Sequence, residues 1–407
     1  MPGYGARYWA ERTPENRRKS YPKFRGTHTA DVVVIGGGLT GCAMAYAVAK
    51  AGFDVVLLEA ERLATGATAG GLGAILPQPD ASFRTVEIAA GRKVARAAWK
   101  TAGRSATDFA SVLKKLKIKV DLSDTSLCID ATTPVDAALL RKEQVARRDA
   151  SLVGPWMTQQ AARAELGSES LGAIRLGDAY RFDPVRAALG FANAAASNGA
   201  RIFEQSPVVR TRFTRKDAEV VLANGSLRTR WVVVASGDPG RVFSQLGRHV
   251  RRRTGYAVVT EPLSAAMKRE TGLRTAIVTE PGLEPHWLRW LPDDRALFAG
   301  ALSRPVTAAQ RDKMLVQRTA QLMYEFSVRH PVISGLRAAW SWDVPVVSTP
   351  DTLPWIGPHR NYPHHFFAIA LGWHGDALAW LAAKAAVRHF KGESTADDDA
   401  FGFVRYL

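Results

Sequence analysis

Three hydrophobic patterns recur along the chain. The first is the short unbroken apolar run. Residues 32–35 (VVVI) and 55–58 (VVLL) are rich in β-branched side chains and read as strands buried on both faces. Residues 231–236 (WVVVAS) and 366–370 read the same way. The second pattern has helical spacing. It covers residues 39–51, ended by Gly52, then 84–117, 141–166, 307–329 and 377–390. A further helix opens at Pro184 with Asp183 as its N-cap, runs to residue 196 and is stopped by Ser197-Asn198-Gly199. The third pattern is alternation. Residues 255–260, 276–279, 286–291 and 296–299 predict antiparallel strands, the last two joined by a turn at Pro292-Asp293-Asp294. Residues 118–131 and 201–204 read as strands, and Asn224-Gly225 centres a hairpin. Residues 1–30 form a polar lead-in with Tyr8 and Trp9 as candidate anchors.

The junctions between these elements carry the chemistry. Gly36, Gly38 and Gly41 stand at Gly-x-Gly-x-x-Gly spacing between the first strand and the first helix. Gly36 permits a tight turn, Gly38 lets the backbone approach a pyrophosphate, and Gly41 lets helix and strand pack closely. The helix opening at Leu39 and Thr40 offers free N–H groups and partial positive charge to phosphates. Glu59, at the tip of the second strand, can accept hydrogen bonds from a ribose diol. This unit points to a dinucleotide and leaves NAD and FAD open. Gly66, Gly70, Gly71 and Gly73 follow with Thr65 and Thr68 among them, a loop suited to wrapping a cofactor with backbone donors. The strand ending Ala235-Ser236-Gly237 brings backbone near phosphate or flavin. Gly372-Trp373-His374-Gly375-Asp376 opens the last helix and repeats the first device, so it could hold the other end of a long cofactor.

Length and composition set the frame. The chain has 407 residues, enough for two domains, and 46% are hydrophobic. No apolar run approaches a membrane span. The N-terminal arginines and lysines precede no apolar core, which argues against a secretory signal. Two cysteines, Cys42 and Cys128, build no disulfide framework and suit a reducing cytoplasm. The net charge of +17 is scattered, with denser spots in residues 114–119, 141–148 and 248–253. None is interleaved with aromatics as single-strand binding requires, so a nucleic-acid partner is not expected. No metal site is expected.

Taken in order, these motifs resemble the D-amino-acid oxidase superfamily of FAD-dependent oxidoreductases, nearest its glycine/sarcosine oxidase and γ-glutamylputrescine oxidase branch. The carrying residues are the glycine turn with Glu59, the Gly-Ala-Thr-x-Gly-Gly loop, the Asp183-Pro184 helix, Val-Val-Val-Ala-Ser-Gly, Thr-Pro-Asp-x-x-Pro-x-x-Gly and the Gly-Trp-x-Gly helix. The resemblance spans residues 30–392. It implies an α/β plus α+β fold: a discontinuous Rossmann-like FAD-binding domain (31–83, 170–245 and 335–407) and an antiparallel-sheet substrate domain (84–169 and 246–334). Carried over residue by residue, Gly36, Gly38, Leu39, Thr40 and Gly41 meet the pyrophosphate, and Glu59 and Ala60 the adenosine ribose. Arg62 lies beside the adenosine. Thr65, Gly66, Ala67, Thr68, Gly70, Gly71 and Leu72 line the phosphates and flavin. Val208 meets the adenine through its backbone. Ala235, Ser236 and Gly237 pass near adenosine and pyrophosphate. Gly372, Trp373, His374, Gly375, Asp376 and Ala377 cap the pyrimidine end of the flavin. Ala377 stands where the family often has glycine, and Trp342-Asp343 where Trp-x-Gly is common. No cysteine lies near Ser348, so a cysteine-linked flavin is not expected.

The implied chemistry is hydride removal from the carbon beside an amine onto flavin N5, giving an imine that hydrolyses. The partners are then a small amine or amino acid and an acceptor, oxygen or an electron carrier. Relatives that act on modified tRNA or hydroxy acids, or serve as non-catalytic subunits, keep those alternatives open. Candidate catalytic residues are His374, beside the flavin, and Tyr256, on the first strand of the substrate sheet. Arg337 is the nearest candidate for a carboxylate clamp, and Asp343 for an amine-binding anion. Trp290, Trp340 and Trp342 are candidate pocket walls.

Overall fold

A computed structural model describes residues 3–152, 154–282 and 284–406. Among these, two sheets organise the chain. In the smaller, of eight strands, Gly26–Ile35 is central. It pairs in parallel with Val55–Leu58 on one side and Gly225–Gly237 on the other. Arg201–Phe203 and Tyr362–Ile369 extend the parallel order outward, and Trp355–His359 adds an antiparallel edge. Val32, Val33 and Val34 are fully buried because helices or further chain cover both faces. Helix Leu39–Lys50 packs between Pro184–Ser197 and Asp376–Lys391. Buried alanines on all three (Ala43, Ala188, Ala382 among them) let the helices approach closely. Trp380 stacks on Phe191 and on Tyr46 at their junction.

The larger sheet has ten strands, with Ala338–Ser348, Arg251–Thr260, Ala296–Ser303, Trp287–Trp290, Ile277–Thr279, Ser123–Asp130 and Ala173–Arg181 in that spatial order. It is mixed, not purely antiparallel: Ile277–Thr279 runs parallel to Ser123–Asp130, and Gly3–Tyr4 parallel to Ala338–Ser348. Side chains alternate across it. One face, with Tyr256, Val258 and Phe298, lies under helix Ala308–Arg329. The other, with Ala257, Val259, Trp287, Trp342 and Val344, joins the core that contains Trp373.

Several expectations need correction. The helix expected over 84–117 breaks at Gly91 into Phe83–Ala90 and Arg92–Lys115. The one expected over 141–166 begins earlier, at Pro134 behind a Thr133/Asp136 capping box, and is interrupted by strand Trp156–Met157. The lead-in is not free chain. Residues 26–30 belong to the central strand, and Tyr8 and Trp9 are buried. Ala74–Ile75, Ala173–Arg181 and Ala338–Ser348, counted by sequence with the dinucleotide segments, pair within the larger sheet. Helix Arg92–Lys115, counted with the substrate segments, packs on Asp376–Lys391. Strand partners far apart in the sequence are chosen by pairing and burial, which local periodicity does not record.

Candidate functional site

At the first helix opening the glycines are required by space. Gly36 has φ +110°, and a Cβ there would stand 2.7 Å from the Ala235 carbonyl oxygen. A Cβ on Gly41 would overlap the Gly36 carbonyl oxygen. Strand end 235–237 thus sits hard against the turn. Glu59 turns back onto it, accepting from the Gly37 N–H at 2.6 Å and the Glu61 N–H at 2.8 Å. Burial raises the Glu59 pKa, and those two N–H groups work against the rise. Val208 lies two residues past Ser206, whose N–H donates to the Glu59 carbonyl. Arg62 is held by Glu204 at 2.8 Å, and the same buried Glu204 accepts from the Leu63 N–H. Ala60, Gly66, Ala67 and Ser236 are exposed.

The loop 64–73 links this opening to the second. Thr68 Oγ1 accepts from the Leu39 N–H at 2.9 Å, tying the loop to the first turn of the helix, where Thr40 follows. The Gly70 carbonyl accepts from the indole N–H groups of Trp342 (3.2 Å) and Trp373 (3.4 Å). Trp9 donates to the Gly71 carbonyl at 2.8 Å, and Arg7 to those of Thr65 and Gly66. Beneath the loop, Arg289 is buried and donates to the carbonyls of Leu72, Gly73 and Phe182. Burial pushes its guanidinium down to about 9. Sequence reasoning passed over Arg289, although a lone charge within Trp287–Trp290 (WLRW) is the kind of interruption that marks a buried polar anchor.

The second opening is built of side chains. The Ala370 N–H donates to the Gly237 carbonyl, which joins the two strand ends. Asp80 accepts from the Trp373 N–H at 3.1 Å, and Gly372 lies against its carboxylate. His374 is 3% exposed, stacks on Trp373 and meets Trp287 at a tilt, 3.9 Å between centroids. Neither of its ring nitrogens has a partner, and burial pushes it down to about 4, so it is neutral at pH 7. Asp376 begins helix Asp376–Lys391 behind Gly375, with Ala377 buried beside it. Burial pushes Asp376 up to about 7, and its Oδ2 has no hydrogen-bond partner. A cavity of about 370 Å³ opens onto Trp373 and His374, walled by Trp287, Ile129, Leu140, Leu302 and Val346. Asp80 and Trp287 also escaped the sequence reading, because each meets His374 or Trp373 only through long-range folding.

Other candidates lie elsewhere. Tyr256 faces helix Ala308–Arg329 and bonds Ser303 at 3.3 Å, since strand alternation points Gly255 and Ala257, not Tyr256, toward Trp373. Arg337 is exposed and paired with Glu261 at 2.9 Å, so it clamps no substrate in the cavity. Asp343 points to Arg311, 2.7 Å away; burial raises its pKa, but the Arg311 hydrogen bond prevails and lowers it. Trp290 packs on Phe326 and His330, and Trp340 donates to Glu11. Of the three tryptophans, Trp342 faces the glycine loop.

These residues suit a long dinucleotide. Gly36 and Gly41 keep a cradle that any Cβ would fill, Glu59 stands at the strand tip, and unpartnered buried polar atoms wait on His374 and Asp376. No helix among the described residues is long and apolar enough to cross a membrane, and no group of His, Cys, Asp and Glu there could hold a metal ion. Comparison with known proteins agrees. The family described as "DAO: FAD dependent oxidoreductase" matches residues 31–389. The γ-glutamylputrescine oxidoreductase of Escherichia coli (strain K12) is 25% identical over 386 residues, covering 93% of this chain and 88% of its own. The glycine oxidase of Geobacillus kaustophilus is 26% identical over 400 residues, covering 94% and 98%. The crystal structure of the latter's glycine oxidase superposes with TM-score 0.77 at 21% identity, over 93% of this chain and 100% of that one.

Proposed function

We propose that this chain, which belongs to the DAO family of FAD-dependent oxidoreductases, oxidises the C–N bond of a small amine or amino acid to an imine that hydrolyses. FAD, when bound, supplies the hydride acceptor. The smaller sheet and its glycine turn hold the cofactor, through Gly36, Gly38, Leu39, Thr40, Gly41 and Glu59 at one end and residues 372–377 at the other. The larger sheet walls the substrate.

The observation that carries the reading is the cavity of about 370 Å³ ending on Trp373 and His374, whose neighbours lead through Gly70 back to the first opening. Its apolar walls exclude water from the reacting carbon and protect an imine until release. The neutral imidazole of His374 carries no positive charge to repel a cationic amine, and its unprotonated ring nitrogen can accept from a substrate N–H. The side chains of Ile129, Leu140 and Val346 orient the carbon chain by contact. A protein with both cysteines free and buried suits the cytoplasm, where oxygen or an electron carrier takes the electrons.

The test is anaerobic mixing of the yellow protein with a panel of amines and amino acids. Bleaching at about 450 nm, where oxidised flavin absorbs, identifies the substrate class. Re-oxidation by air or only by an added carrier then identifies the acceptor. A flavin that no amine or amino acid bleaches sinks the reading.

A further inference from the structure

Of the three dense basic spots in the chain, two are accounted for by the fold. Lys114 and Lys115 lie in the last turn of helix Arg92–Lys115, where cations complement the exposed carbonyls. In the second, Arg147 pairs with Glu143, Arg148 with Asp149, and Arg141 lies over the Trp156 ring. The third, residues 248–253, is only partly neutralised. Asp238 holds Arg252 at 2.6 Å, and Glu284 holds Arg253. Arg248 and Arg251 are exposed, and neither has an ion-pair partner among the described residues.

Arg360, exposed and likewise without an ion pair among those residues, joins them from the edge of the smaller sheet. The His249 ring lies 6.4 Å from that of His359, and the His249 carbonyl accepts from the Trp355 indole N–H at 3.2 Å. Burial lowers the His359 pKa, and the neighbouring His249, Arg360 and Arg248 lower it further, so these cations share one field.

This surface stands one strand from the second opening. Arg251 and Arg252 are in register with Ser348 and Val347. Such cross-strand partners lie roughly 5 Å apart. The Val347 carbonyl accepts the Gly372 N–H at 3.1 Å, and Ser348 lines the cavity. Asp238, which holds Arg252, directly follows Gly237, whose carbonyl accepts the Ala370 N–H at 2.8 Å. Unneutralised positive charge therefore sits beside the residues proposed to cap the flavin, where it favours an anionic partner. Residues 241–253 and 355–361 expose no large apolar or aromatic side chain, so they offer a membrane no apolar insertion and a nucleic-acid strand no stacking platform.

Resting on the proposed function, we propose that Arg248, Arg251 and Arg360 form the docking surface for an acidic electron-carrier protein with a one-electron centre. Two carriers, arriving in turn, each take one electron from the reduced flavin; each carrier is reduced once, and one proton passes to water. Charge steers the encounter, so added salt slows it.

The test uses the FAD-loaded protein reduced anaerobically with stoichiometric dithionite, so no substrate is needed. Stopped-flow absorbance follows its re-oxidation by two probes of opposite charge, acidic cytochrome b5 and basic cytochrome c. We expect the second-order rate with cytochrome b5 to fall by about tenfold from low to high salt, and that with cytochrome c to rise. Arg248→Glu with Arg360→Glu lowers the cytochrome b5 rate at low salt by about tenfold, and Arg248→Lys with Arg360→Lys keeps it within about twofold. Lys115→Glu with Lys119→Glu makes the same change of net charge in another dense spot and also keeps it within about twofold. Equal losses in the two glutamate pairs mean that net charge alone steers, and overturn the inference. A cytochrome b5 rate indifferent to Arg248→Glu with Arg360→Glu overturns it too. If that pair instead abolishes binding to phosphatidylserine vesicles with the carrier rate unchanged, the surface belongs to a membrane and the inference is lost. Because reduction is chemical, a protein that bleaches with amines but shows no dependence on these arginines loses this inference alone. One that passes electrons through them yet bleaches with no amine loses the proposed function alone.

Discussion

The two helix openings solve a similar problem with different materials. At Gly36–Gly41 the shape is set by backbone: glycines, carbonyl oxygens and one returning carboxylate. At Gly372–Ala377 it is set by side chains gathered from across the chain: Trp287, Trp342, Asp80 and His374. The first opening contains no buried polar side chain lacking a partner among the described residues. The second has such atoms on both His374 and Asp376. Backbone-built sites are sensitive to added volume. Side-chain-built sites are sensitive to charge and pH.

The sharpest way to break this contrast is Gly41→Ala. Its Cβ has no room beside the Gly36 carbonyl, so the variant should purify colourless, with flavin content near zero and a lowered urea midpoint. A yellow, fully loaded variant would mean the turn is not close-packed. Next in size is the pH response of Asp376. Its ordinary value is 3.8 and its folded value about 7, so the folded form holds the proton more tightly than the unfolded chain. The contribution to stability is therefore full below 3.8 and is lost as pH rises through 7. Three units correspond to about 4 kcal/mol as an upper bound, since the helix N-terminus favours the charged form. Flavin-free wild type should lose stability between pH 4 and 8 relative to Asp376→Asn, read from paired denaturant titrations; parallel curves would contradict the burial argument.

Arg289→Met probes what lies under the loop shared by the two openings. It removes the buried donor to three carbonyl oxygens, of which that of Gly73 keeps the Phe182 N–H, and should cost about 2 kcal/mol, lowering flavin retention along with stability. Stability lost with flavin affinity unchanged would separate the loop from the cofactor. The smallest effect is expected from Tyr256→Phe. It removes one long hydrogen bond to Ser303 on the face away from Trp373, worth about 1 kcal/mol. Its kcat should stay within about twofold of wild type. A tenfold fall would return Tyr256 to the reacting centre.

The same contrast explains what was legible in the sequence. Gly36, Gly38, Gly41 and Glu59 were legible because the turn, the helix and the next strand are local, and each residue type has one physical use there. The larger sheet was legible as alternation, but its parity was not: nothing in residues 255–260 alone says which face meets Trp373. The small side chains of Gly255 and Ala257 held that signal, since only they leave room for an indole. Arg337 and Asp343 read differently in the sequence because a residue already paired within the protein and a substrate anchor look alike until the partner is known. Arg289 and Asp80 act through residues more than two hundred positions away, a relation set by tertiary packing.

The N-terminal strap has a consequence for biosynthesis. Gly3–Tyr4 pairs with Trp340 and Ser341, while Arg7 and Trp9 close over the loop 65–71. Residues 3–9 therefore wait for a strand more than three hundred positions later in the chain before they can settle. Until then the nascent chain is open over the glycine loop proposed to meet the flavin, so cofactor supply during synthesis, rather than after release, should govern the yield of loaded protein.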